Sequence, residues 1–409
     1  FTHQAVKNAI KQYRNTRDPK DLIFNFGRCM VHFAADTDLV YMATALAYDK
    51  TFFLPFNKGL NDGDYVAPFG AGNPELHEGI KTSYLWKEIL EKRSFTNIIG
   101  QFAQIVKDDD DPCNRKLGVK KKSSPKLIFP RYHQLKVVRD LLYDVKHEGI
   151  GKRYLIQHSA GSGKSNSITW LAHQLVGLYD KTNTNHLFDS VIVVTDRTVL
   201  DRQIRENIKR FAQVKSTVEA ITGKSGSKTS QLKEALANKK KIIICTVQTF
   251  PFLLKEMDDL QESNFGIIID EAHSSQSGDT AAKMNAALAG KGFDDLPKNE
   301  DGTIDTDDIV NHIIESRKML KNASYFAFTA TPKNKTLETF GVPYKDIAED
   351  GLEKTKFKPF HTYSMKQAIE EEFILDVLAN YTTYNSYYKL ISQAKEHREF
   401  EIKEANKKL

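Results

Sequence analysis

From Leu127 onward the chain alternates short, wholly apolar runs with stretches in which apolar residues recur every three or four positions. The runs are Tyr154 to Ile156, Val191 to Val194, Ile242 to Ile244, Ile267 to Ile269 and Tyr325 to Phe328. Strands that are apolar on both faces and separated by helices predict a parallel sheet covered on each side. Ile168, Leu171, Leu175 and Leu178 mark one covering helix, and Leu200, Ile204, Ile208 and Phe211 another. The first third reads differently. Ala5, Val6, Ala9, Ile10 and Tyr13 form one helical face, ended by the polar run Asn15 to Pro19. Phe24 to Asp36 and Leu39 to Met42 read as a hairpin turning at Asp36 to Asp38. Thr51 to Phe56 reads as a further strand stopped by Pro55, and Gly59 to Glu78 as a glycine-rich loop.

The periodicity dissolves between Val106 and Lys126 into an acidic run, Asp108 to Asp111, and a basic one, Lys120 to Lys122. Such blocks mark a solvated linker, which sets a domain boundary near Lys126. A second change falls beyond Gly351, where Tyr363 to Leu378 and the tyrosine-rich Tyr381 to Tyr388 begin a further unit. The expected division is 1–126, 127–350 and 351–409, and 409 residues can hold two or three domains.

Composition narrows the setting. Cys29, Cys113 and Cys245 are isolated, with no C-x-x-C pattern, so a reduced, cytoplasmic protein is expected. His32 has no second ligand at metal spacing and reads as a packed strand histidine. No run of 18 apolar residues and no signal-peptide pattern occurs, and no membrane partner is expected. The net charge of +6 is compatible with a nucleic-acid partner, whose surface must be local. The start at Phe1 and the end in the charged stretch Lys403 to Leu409 lead us to expect a fragment.

The chemistry concentrates at strand ends. In Arg153 to Ala172, RYLIQHSAGSGKSNSITWLA, an apolar strand runs into a loop and then a helix. Gly161 and Gly163 let successive backbone N–H groups around Ser162 face one concavity, at the positive end of the helix. Lys164 would reach the β- and γ-phosphates of ATP, and the Ser165 hydroxyl would join the shell of a Mg²⁺ ion. The strict phosphate-loop pattern begins with glycine, and here that position is His158. Ile267 to His273 places Asp270 and Glu271 directly after a buried strand: Asp270 to hold Mg²⁺ through water, Glu271 to orient and deprotonate the attacking water. Thr329 and Thr331 in the FTATP turn would couple that site to a strand-binding surface. Gln134, in FPRYHQ, carries an amide able to read the adenine edge, beside an aromatic able to stack on the base. Thr195 and Arg197 in VTDR, with Thr246 and Gln248 in TVQTF, suit contacts to a nucleic-acid backbone.

Taken in order, GSGKS, VVTDR, TVQTF, DEAH and FTATP resemble the first motor domain of a superfamily 2 helicase or translocase. The longer runs VTDRTVLDRQI, IIIDEAHSSQSG and YSMKQAIEEEFILDVLANYTTY resemble the motor subunit of type I restriction endonucleases. YRNTRDP, FGRCMVHFA, FLPFNKG and TSYLW are similar to that family's region between nuclease and motor. The resemblance implies an α/β fold: a RecA-like motor domain at 127–350, preceded at 1–126 by the α+β remnant of a nuclease domain and followed at 351–409 by the start of a second RecA-like domain. It implies ATP-driven pulling of double-stranded DNA before cleavage, with methyltransferase and specificity subunits as partners. No E-x-K with a preceding aspartate is recognisable before Tyr13, so no nuclease residue is assigned, and the family's Q-x-x-x-Y spacing is not met either, because Ala9 stands four residues before Tyr13. Without the arginine that a second motor domain brings, this stretch is expected to bind nucleotide but hydrolyse it poorly. The alternatives are another superfamily 2 helicase or remodeller-like motor, and an ATP-gated DNA-binding scaffold.

Overall fold

The computed structural model describes residues 5–106, 125–195, 204–209, 217–221, 227–258, 260, 262–270, 275–276, 304–305, 320–347 and 353–376. The N-terminal helix α1 (Val6–Asn15) rests on an antiparallel sheet of β1 (His32–Ala35), β2 (Val40–Ala43) and β3 (Leu54–Pro55). Asp36 explains how this begins. Its Oδ1 accepts the N–H groups of Asp38 and Leu39, closing the hairpin turn, while Oδ2 accepts the Val6 N–H at 2.7 Å and ties down the start of α1. The expected hairpin is present, but Phe24 to Val31 folds as turns, and the Thr51–Phe56 run yields two strand residues because Pro55 has no N–H to extend the ladder. α2 (Lys92–Gln101) follows, then the ribbon of β4 (Gln104–Val106) and β5 (Lys126–Ile128). The linker expected between those strands lies, at 107–124, outside the described residues.

Beyond it come α3 (Tyr132–Glu148), β6 (Arg153–His158), α4 (Lys164–Val176), β7 (Ser190–Thr195), β8 (Val218–Ala220), α5 (Lys228–Ala237), β9 (Ile242–Thr246), α6 (Phe250–Asp258) and β10 (Phe265–Asp270). β11 (Ser275–Gln276) pairs with β12 (Ile304–Asp305), and then follow β13 (Ala323–Thr329) and α7 (Asn334–Phe340). β14 (Val342–Ile347) and β15 (Glu353–Lys358) form a hairpin ahead of β16 (His361–Tyr363) and α8 (Met365–Glu370). Seven of these strands make one parallel, RecA-like sheet in the order β16-β6-β13-β10-β7-β9-β8. All five apolar runs are strands of this sheet. Ile204 and Ile208 of the second covering helix are fully buried, while Leu200 and Phe211 lie outside the described residues.

β16, which follows the boundary expected at 350, joins the same sheet in register with Ile156 to His158 of β6. Its sequence, His-Thr-Tyr, has no apolar run to announce it. The boundary at 126 is also not a gap in packing. Val40, Met42, Phe56, Ile98 and Phe102 belong to one buried cluster with Leu141, Ile168 and Trp170. Trp170, wholly buried, donates its indole N–H to the Phe102 carbonyl at 2.9 Å. Alternate residues of the same strands, among them Leu155, Ile192, Ile243 and Ile267, form a second cluster on the opposite face of the sheet.

Candidate nucleotide site

The turn after β6 is built by backbone conformations that glycine adopts without strain. Gly161 has φ +73° and Gly163 φ +80°, and Gly163 is the residue that starts α4. A Cβ on Gly163 would also collide with the Gln134 amide nitrogen. Ser162 is buried, and its hydroxyl has no hydrogen-bond partner among the described residues. Lys164 donates from Nζ to the His158 carbonyl at 3.0 Å, and Ser165, half-buried, follows in the first turn of α4. A left-handed pair of glycines, a helix N-terminus, a lysine and an orphan hydroxyl fit a phosphate chain.

The same end of the sheet gathers the other expected groups. Asp270 closes β10 and is 5% exposed. Between β10 and β6 lies β13, whose last residue, Thr329, is in register with Gln157 and keeps a buried hydroxyl with no partner among the described residues. Thr331 is exposed in the turn that follows. Thr195 and Thr246 end β7 and β9, but Thr195 is fully buried and Thr246 turns its hydroxyl to Thr249 at 3.3 Å, so neither side chain faces solvent. Glu271, Arg197 and the side chain of Gln248 lie outside the described residues.

Gln134 is directed at the loop. Its Nε2 donates to the carbonyls of Ser162 and Gly163, each at 3.1 Å, and its Oε1 accepts the Arg131 N–H at 2.9 Å. Tyr132 is packed edge-on against Phe56 and Tyr84 in the core, which leaves Phe129 as the aromatic of that motif at the cleft. This cleft, of about 490 Å³, is bounded by Gly161 to Gly163, Arg131, Phe129 and Phe373, with Met42 and Phe52 supplied by the N-terminal unit.

Sequence reasoning passed over the groups that organise this end of the molecule. Arg131, 6% exposed, places its guanidinium 3.5 Å from the Phe373 ring centroid and donates to the Tyr363 hydroxyl at 2.7 Å and to Glu371 Oε2 at 2.5 Å. Three histidines lie behind the loop. His133 bonds the Ser162 carbonyl through Nε2 at 2.9 Å and stacks on Tyr363 at 4.0 Å, while His158 Nε2 meets His361 Nδ1 at 3.0 Å. Burial pushes the titration of His133 and His158 well below the ordinary imidazole range, helped by positive neighbours. Burial, and next Lys136, lowers His361 to about 3. All three are neutral near pH 7. The only sequence cue to them was His158 standing where the phosphate-loop pattern has glycine. Among the described residues no cluster of histidine, cysteine or acidic side chains could hold a metal by itself, and His32 is a buried strand residue against Tyr13 and Phe24.

Residues 133–293 match the model of the SWI2/SNF2 ATPase family. A search of curated proteins finds no match. Among solved structures the chain is similar to the Hef helicase domain of Pyrococcus furiosus, at 19% identity and TM-score 0.31, over 50% of this chain and 34% of that one. It is similar to a fragment of a putative HsdR subunit of a type I restriction enzyme from Vibrio vulnificus, at 16% identity and TM-score 0.34, over 90% of this chain and 46% of the other. A third is the Sulfolobus solfataricus SWI2/SNF2 ATPase core in complex with dsDNA, at 16% identity and TM-score 0.30, over 51% and 34% of the two chains. The chain thus spans between a third and a half of these three chains. No helix among the described residues is long and apolar enough to cross a membrane.

Proposed function

We propose that this chain carries the ATP-hydrolysing half of a DNA motor, and that the whole protein is the restriction and translocation subunit of a type I restriction enzyme. The observation that carries the motor reading is the phosphate-loop geometry, with Lys164 at the helix start and Asp270 ending a strand of the same sheet. The match of residues 133–293 to SWI2/SNF2 ATPases supports it. The long runs around DEAHSSQSG and YSMKQAIEEEF support the finer one.

In this reading Lys164 keeps the His158 carbonyl through one N–H and turns its other two to the β- and γ-phosphates, the N–H groups of the loop hold the remaining oxygens, and the cleft beside Phe129 and Arg131 takes the base. Ser165 and Asp270 would hold Mg²⁺, which offsets charge on the phosphates when bound. Glu271 orients and deprotonates the attacking water. Thr329 and Thr331 relay the state of the site, and the strand-end residues Thr195, Arg197, Thr246 and Gln248 serve the DNA side. For the buried Thr195 and Thr246, that service is to fix the main chain rather than to touch phosphate. The duplex, the methyltransferase subunit and the specificity subunit are the proposed partners. A remodeller-like motor is the second reading, favoured by the SWI2/SNF2 match. Magnesium-dependent cleavage of DNA by the whole protein separates the two.

The test of the site itself is calorimetric titration of MgATP into the 409-residue chain. Lys164→Ala is expected to weaken binding roughly 10- to 100-fold, the scale of one charged hydrogen bond of ~1.5–3 kcal/mol. Equal affinity in the variant removes the phosphate loop from the reading.

A further inference from the structure

The phosphate lysine is held by the oxygen of an unusual residue. Where the pattern has glycine, His158 ends β6 fully buried, and its carbonyl receives Lys164 Nζ. Its ring bonds His361, on the neighbouring strand β16, through a single nitrogen-to-nitrogen contact. The outer nitrogens of the pair, His158 Nδ1 and His361 Nε2, have no partner among the described residues. Two neutral imidazoles share one hydrogen bond, so whichever ring donates, one buried N–H is left without an acceptor. Such an N–H costs stability. The surroundings of His361 are closely packed. A Cβ on Gly63 of the N-terminal unit would overlap His361 Nε2, the Thr362 N–H donates to the Gly63 carbonyl, and the Asn61 amide donates to the Thr362 carbonyl. On the His158 side stand the rings of Phe328, His133 and Tyr363, with Lys164 and Arg131 as the neighbouring positive charges.

We propose that His158 and His361 are positioning residues for Lys164: their ring-to-ring hydrogen bond fixes the end of β6, so that the His158 carbonyl holds the lysine ammonium at the mouth of the phosphate loop. The inference rests on the phosphate reading of that loop. It also gives β16 and the Gly63 loop a role at the nucleotide, since they hold the second histidine in place. Glycine at position 158 would supply the carbonyl without any such tether.

The experiment compares MgATP and adenosine binding to the 409-residue chain and to His361→Phe, which keeps a ring but removes the nitrogen. We expect MgATP affinity to fall about tenfold, the scale of one lost buried hydrogen bond. Adenosine, which has no phosphate for Lys164, should bind unchanged. His361→Asn, whose amide stands where Nδ1 was, restores most of the loss. In a Lys164→Ala background the His361→Phe change adds nothing further. Full MgATP affinity in His361→Phe, or an equal loss for adenosine or in the Lys164→Ala background, overturns the proposal. Should His361→Phe not fold, histidine ¹⁵N spectra of the unaltered chain decide: the bonded pair must shift when MgADP is added, and unmoved signals refute it. If the unaltered chain binds MgATP no better than Lys164→Ala does, the phosphate reading has failed, and the role of the pair falls with it.

Discussion

Replacing Arg131 by methionine is expected to destabilise the folded chain by about 3–5 kcal/mol, as removal of one partner from a buried ion pair does. The Arg131 and Glu371 side chains are 8% and 3% exposed, and the carboxylate that remains would sit out of water with the Tyr363 hydroxyl and the Gln367 amide as its donors among the described residues. The pair spans 240 residues of chain, so its loss frees the segment after β16 from the start of α3. Replacing Glu371 by methionine as well should recover much of the cost, because two apolar side chains of similar size need no solvent. Denaturant midpoints of the unaltered chain, Arg131→Met, Glu371→Met and the double variant measure the coupling. A single variant within 1 kcal/mol of the parent, with no coupling in the cycle, would show that the pair contributes little.

The second large effect is a loss of stability in mild acid. His133, His158 and His361 are held neutral in the folded chain, with their titration lowered, while in the unfolded chain each takes a proton near pH 6.5. A lowered folded value means that the stabilising difference is present above 6.5 and shrinks as pH falls toward the folded value. Between pH 7.5 and 5.5 each histidine contributes a loss of ~1.4 kcal/mol, about 4 kcal/mol for the three. Asp62 and Glu371, raised by burial, act in the opposite sense as they take up protons. Denaturant midpoints at these two pH values should therefore differ strongly, and His361→Asn should remove about a third of the histidine contribution. A pH-independent midpoint would mean that the cluster is hydrated.

The large sheet was legible because five of its strands are apolar on both faces, as in Ile267-Ile268-Ile269. The turn between β6 and α4 was legible because its glycine spacing, Lys164 and the strand before it are all local. β16 was hidden by its polar sequence, since His361 and Thr362 are buried by packing against Gly63 and Asn61, some 300 residues earlier. Arg131, Glu371 and Phe373 were missed for the same reason: their meaning is a contact, and neither partner carries a local signal. The adenine role given to Gln134 came from its position, and position could not reveal that its amide is already bonded to two carbonyls of the loop. Thr195 and Thr246 looked available because strand ends often are, but the sheet closes over them.

The indole bond from Trp170 to the Phe102 carbonyl, within a cluster shared by both sides of the 107–124 stretch, bears on how the protein can be cut. A protease site introduced into that stretch would separate the backbone but not the folded body. Each half would carry away a raw apolar surface, so the two pieces should elute together under native conditions and part only in denaturant. The N-terminal unit is therefore poorly suited to expression by itself, and a crystallographer or enzymologist seeking a minimal folded piece should keep both parts in the tube.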